Sequence, residues 1–161
     1  MTDIKRIVGA HEPALRRLAA SYEANPAQRE DLVQDMLLAL WRALPRFRGE
    51  CSERTFVYRV AQNRALSHLL QRRPAAEGLD RAAEEADPRP GPEELASRSQ
   101  RRQALWTALR TLPLAQRQVV VLALEELPLR EIAEILGITE NNAAVRLSRA
   151  RAALREALEE R

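Results

Sequence analysis

The chain has 161 residues, 45% of them hydrophobic and 30% charged, and a formal net charge of +3 whose basic excess is nearly all arginine, Lys5 being the only lysine. That length fills one ordinary domain or two small ones, and with five glycines and almost no strand-like alternation the composition predicts an all-α protein with a polyanionic partner. A single cysteine, Cys51, excludes an internal disulfide framework, and the lack of a signal peptide or long apolar run predicts a cytoplasmic chain without membrane insertion.

Ile4, Ile7 and Val8 fall at helical spacing over Thr2 to Ala10. Glu12 with Pro13 then reads as the cap and first residue of a second short helix running to about Glu23. Asn25 and Pro26 repeat that start signal. From Ala27 to Leu44, Leu32, Met36, Leu37, Leu40 and Leu44 make a long amphipathic helix with Asp31, Gln34, Asp35 and Arg42 on its polar side. Pro45 ends it, and Arg46 to Ser52 form a short loop around Gly49.

The helix predicted from Glu53 to Arg73 interleaves an apolar stripe with arginines, amides and aromatics, a mix suited to single-stranded nucleic acid. Tyr58 or Phe56 would stack on a base, worth about 1 to 3 kcal/mol, while Arg54, Arg59, Arg64, Arg72 and Arg73 neutralise phosphates. The alternative, that the two aromatics are core at helical spacing, suits Phe56 better; Tyr58, with its polar tip, suits either. From Pro74 to about Glu94 the composition shifts to prolines, glycines and seven acidic residues opposed only by Arg81 and Arg89. Such a stretch predicts a linker, spanning on the order of 60 Å if extended at about 3 Å per residue.

Beyond it, Leu105, Trp106 and Leu109 mark a helix from Leu95 to Leu112. Pro113 starts the next, an almost wholly apolar run that predicts the core helix of a second module. The residues from Leu129 to Glu156 then read as a helix-turn-helix. Leu129, Ile132, Ala133 and Leu136 form a short amphipathic helix after Pro128, Gly137 stops it, Ile138 plugs the core, and Thr139 caps the next helix. In that last helix Ala143, Leu147, Ala150 and Leu154 share one face. Asn141, Val145, Ser148, Arg149 and Ala152 fall on the opposite face, with Asn142 and Arg146 on its flank. Asn and Arg side chains on an exposed face suit base edges in a major groove, at about 1 to 3 kcal/mol of discrimination per bidentate contact.

His11 and His68 stand alone, so no metal or cofactor is expected. No nucleophile with its base and no carboxylate cluster occurs at a catalytic spacing, so no enzyme is expected either. A self-sufficient regulator that binds duplex DNA as a dimer remains the competing reading.

In this order, the segments EDLVQDMLLALWRALPRFRGE and RTFVYRVAQNRA, then LPLAQRQVVVLALEELPLREIAEILGITENNAAVRLSRARAAL, resemble regions two and four of extracytoplasmic-function (group IV) sigma factors of the sigma-70 family. The resemblance implies two small helical domains, 1–74 and 95–161, joined by the acidic linker 75–94. It implies that Asp31, Gln34, Asp35 and Leu38 dock on core RNA polymerase. The loop Phe47, Arg48, Gly49, Glu50, Cys51 and Ser52 would hold a flipped base of the minus-ten element, with Arg54, Tyr58, Arg59, Gln62 and Asn63 along the melted non-template strand. Thr139, Asn141, Asn142, Val145, Arg146, Ser148 and Arg149 would read the minus-thirty-five element as duplex. An anti-sigma factor is the further partner implied. The family often has tryptophan at Phe56, lysine at Ala144 and a Gly-Thr pair at Asn141 and Asn142; the last two departures bear on which duplex sequence is read.

Overall fold

A computed structural model describes residues 3–72 and 93–160. Among them the first module contains α1 (Ile4–Tyr22), α2 (Pro26–Ala43) and α3 (Glu53–Arg72), with a single 3-10 turn, Leu44–Arg46, after α2. The second contains α4 (Glu93–Thr111), α5 (Leu114–Leu124), α6 (Leu129–Leu136) and α7 (Glu140–Glu159). No strand occurs among the described residues, as the composition predicts. Most of the expected linker, residues 75–92, lies outside the described residues, as does Arg73; the last two positions assigned to it, Glu93 and Glu94, already belong to α4.

Two short helices expected before Asn25 are one. α1 runs straight through Pro13, because Ile7, Leu15, Leu18 and Tyr22 keep a single phase on its buried face. Pro13 cannot donate to the Gly9 carbonyl, but both residues are exposed, so water can take the place of the missing donor. The other helix starts follow the sequence signals. Asn25 Oδ1 accepts from the Gln28 backbone N–H at 3.1 Å with Pro26 in the first turn, and Thr139 Oγ1 accepts from the Asn142 N–H at 3.0 Å. Gly137, at φ +66°, supplies the left-handed residue that ends α6 and turns the chain into α7.

α2 packs on both α1 and α3 around Leu15, Leu32, Met36, Leu40 and Val57, all buried. In the second module α7 packs across α4, α5 and α6 over Leu109, Val119, Leu122, Ile132 and Leu147. The modules also touch each other, α3 against α6 and α1 against α4 and α5. The α1–α2 turn is held by Arg29, which donates to the Glu23 and Ala24 carbonyls at 3.0 Å each.

Candidate nucleic-acid interface

α7 sorts its residues as the periodicity predicts. Ala143, Leu147, Ala150 and Leu154 are buried; Asn141, Val145, Ser148, Arg149 and Ala152 are exposed, and Asn142 and Arg146 are half-buried between them. Arg146 Nε donates to Asn142 Oδ1 at 2.9 Å, one helical turn away, which orients both groups at the same edge of the face. Val145 is an apolar side chain, 40% exposed, in the middle of this polar stripe. Thr139 uses its hydroxyl as the helix cap and stands beside the N-terminus of α7, where backbone N–H groups favour anions.

The loop after the 3-10 turn bends at Gly49, φ +76°, and leaves Arg48, Gly49, Glu50 and Ser52 exposed and Cys51 half-buried. Ser52 has a structural duty that its place in the loop did not signal: its Oγ accepts from the Thr55 N–H at 3.0 Å and caps α3. Phe47 packs on Phe56 with ring centroids 4.6 Å apart, so Phe56 is a packing residue, as its spacing favoured. Beneath these rings opens a cleft of about 270 Å³ lined by Phe47, Arg48, Glu50, Cys51 and Arg59, with Glu134 of α6 forming part of its wall. A cleft of this size is at the lower end of those that hold small ligands, about 300 Å³.

On α3 four of the five candidate strand-path residues are engaged by other groups in this arrangement. Tyr58 is 4% exposed, and its hydroxyl donates to Glu125 Oε2 at 3.2 Å; burial first, and then the Glu125 carboxylate, push its pKa well above the ordinary tyrosine value. Gln62 is 3% exposed and accepts from the Tyr22 hydroxyl at 2.7 Å. Arg54 pairs with Glu131 at 2.7 Å, and Arg59 donates to the Glu134 carbonyl at 3.2 Å. Asn63 is exposed, and Arg64 reaches Asp35 on α2 at 3.4 Å.

On α2, Asp31, Gln34 and Leu38 are exposed and Asp35 half-buried, all on the face turned away from the core. Trp41 belongs with them. It is 46% exposed, as is Leu38 three residues earlier, so the face carries an apolar pair beside its carboxylates. The available signal was a tryptophan in phase with the polar side of the helix rather than with Leu40 and Leu44.

The two lone histidines are packing residues with glutamate partners: His68 Nε2 lies 2.9 Å from Glu23, and His11 Nε2 lies 3.5 Å from Glu53. Among the described residues no group of His, Cys, Asp and Glu is arranged to hold a metal, and no helix is long and apolar enough to cross a membrane.

Comparison with known proteins places this geometry. Residues 7–74 match the model of sigma-70 region 2, and residues 102–154 match that of sigma-70 region 4. The chain is 31% identical to the ECF RNA polymerase sigma-E factor of Escherichia coli, covering 77% of this chain and 70% of that one. It is 29% identical to the probable RNA polymerase sigma factor RfaY of Xanthomonas campestris over 97% of this chain, which spans only 40% of that relative's length. Among solved structures, it superposes with a TM-score of 0.77 and 26% identity on the sigma factor RpoE of Bartonella quintana, crystallised in complex with the anti-sigma factor NepR; 99% of this chain and 98% of that one are covered. With both region models matched in order along one chain, the protein belongs to the sigma-70 family of RNA polymerase sigma factors, in its extracytoplasmic-function group.

Proposed function

We propose that the protein is a cytoplasmic promoter-specificity subunit, with residues 1–74 binding core polymerase and the minus-ten element, 75–94 a tether, and 95–161 binding the minus-thirty-five element. The observation that carries the reading is the α7 face, where Asn141, Val145, Ser148 and Arg149 stand outward from a helix fixed from below by Ala143, Leu147, Ala150 and Leu154. A helix so anchored behind a glycine turn can enter a major groove without repacking, and each bidentate base contact contributes about 1 to 3 kcal/mol of discrimination.

On the first module, Asp31, Gln34, Asp35 and Leu38, with Trp41 added from their shared face, are the polymerase contacts. An apolar pair ringed by charge has the make-up of an interface centre with a polar rim. The loop Arg48, Gly49, Glu50, Cys51 and Ser52 takes one extruded base into the cleft against Phe47 and Phe56. Extrusion costs a few kcal/mol, which contacts to the freed Watson–Crick edge offset. Arg54, Tyr58, Arg59, Gln62 and Asn63 then follow the melted strand. No covalent chemistry is required of the chain: its work is to hold polymerase at one duplex address and trap the strand once it separates. The names of the relatives support the same reading, and the solved complex of one of them makes an anti-sigma factor the regulatory partner to look for.

Run-off transcription on fragmented genomic DNA of the source organism, with core polymerase alone and with the protein added, tests it. Discrete new transcripts sharing two upstream elements are expected. Their absence with active core and folded protein would remove the reading and favour the regulator.

A further inference from the structure

We propose that Val145 reads the 5-methyl group of a thymine in the upstream duplex element, so that one A·T pair of that element is selected by an apolar contact rather than by hydrogen bonds. The inference rests on the assignment of α7 to the minus-thirty-five element and names a base that its face selects. The fold makes no use of this side chain. Val145 is 40% exposed, and it belongs neither to the buried core nor to the partly buried apolar residues packed against that core. At an exposed helical position a β-branched residue is a poorer helix former than alanine, so the helix gains nothing from it either. The residues one turn away, Asn141 and Asn142 before it and Ser148 and Arg149 after it, all carry hydrogen-bonding groups, so a lone apolar side chain stands among polar ones.

A valine side chain has no donor or acceptor, so it answers only to the apolar feature of a base edge, and in the major groove that feature is the thymine methyl. Set against a purine, the same side chain would cover the N7 acceptor without bonding it, and a desolvated acceptor left unpaired is costly. Against cytosine it would face a ring carbon without a methyl and lose the contact. The surroundings fix its direction. In a helix, valine keeps one strongly preferred χ1 rotamer, so its methyls are set before DNA arrives. Beneath it, α7 is anchored by Ala143 and Leu147, both buried. Beside it, Arg146 Nε is bonded to Asn142 Oδ1 at 2.9 Å, which ties the adjacent long side chain back along the flank of the face. A contact pre-set in this way loses little freedom on binding. Its place in the second turn of α7 agrees, since recognition helices present their N-terminal residues to base edges.

The test uses holoenzyme assembled from core polymerase and the full chain, on promoter duplexes identified by run-off transcription. Each thymine of the upstream element, on both strands, is replaced one at a time by deoxyuridine, which pairs identically and lacks only the methyl. In competition binding, one position is expected at which the replacement weakens wild-type holoenzyme roughly fourfold, the contribution of burying one methyl-sized group. Holoenzyme carrying Val145→Ala is expected to bind the thymine duplex about as weakly as wild type binds the deoxyuridine duplex, and to be indifferent to the replacement at that position. No thymine with such a penalty, or a penalty that persists undiminished in Val145→Ala, would overturn the proposal. A holoenzyme that initiates without any upstream duplex preference would instead remove the assignment of α7 to that element, and the proposal with it.

Discussion

Glu125 meets both Arg17 and Tyr58, and its neighbour Glu126 adopts φ +63°, a left-handed conformation that costs a side-chain-bearing residue about 1 kcal/mol. Its N–H bonds the Ala123 carbonyl and that of Leu127 bonds Leu122, the double closure that usually ends a helix on glycine. Glu126→Gly should therefore raise stability by about 0.5 to 1 kcal/mol, seen as a higher urea midpoint at unchanged slope; a lower midpoint would mean that the Glu126 side chain matters more than its backbone. The two tyrosines of the chain make a second prediction. Burial pushes both hydroxyls up, so the fold favours their neutral forms; that stabilisation is complete below the free-tyrosine value near pH ~10 and is lost as pH rises toward the folded values. Phenolate absorbance should stay absent at pH ~10 and appear only together with loss of helical circular dichroism. Phenolate forming there in a fully helical protein would contradict the burial of Tyr22 and Tyr58. None of this was legible in the chain: a glutamate gives no sign that it will take a glycine's conformation, and the polar tip of Tyr58, which suited a base or the core alike, gave no sign of the Glu125 carboxylate it meets.

Helices were legible wherever apolar spacing and caps agreed. The inside and outside of α7, the stop at Gly137 and the start at Pro26 all follow from local rules, because each depends on residues within one turn. α1 broke the pattern, since a proline start signal fell inside a buried stripe that runs on through it, and tertiary burial prevailed. Pro13→Ala restores a donor to the Gly9 carbonyl at an exposed position and should stabilise the chain by about 1 to 3 kcal/mol, measured by thermal or urea unfolding. No gain would mean that the helix already accommodates the ring. Arg149 tests α7 as a reading element. It is exposed on the outward face, so Arg149→Ala should cost about 1 to 3 kcal/mol of promoter discrimination and leave core-polymerase affinity unchanged. An equal loss of polymerase affinity would move α7 from the duplex to the enzyme.

At the scale of the whole molecule, a net charge of +3 hides a division of labour. Arginines of the first module face carboxylates of the second, in pairs up to 108 positions apart that no local pattern encodes, so the packing of the modules was not legible even though each module was. The buried hydrophobic residues form one cluster that runs through both modules, and a domain of roughly 70 residues gains only about 3 to 5 kcal/mol from a core of its own, so contacts between them form a large share of what either module has. Wild type at low salt should therefore unfold in one calorimetric transition whose van't Hoff and measured enthalpies agree. Breaking the Arg17–Glu125 ion pair between α1 and the end of α5 with Arg17→Gln should uncouple the modules and lower the midpoint of the less stable one by roughly 4 to 8 °C for each kcal/mol lost. High salt should move wild type in the same direction, because the half-exposed Arg54–Glu131 pair is open to screening. Two transitions in wild type at low salt, unmoved by either change, would mean that the modules fold independently and that their contact adds no stability to either.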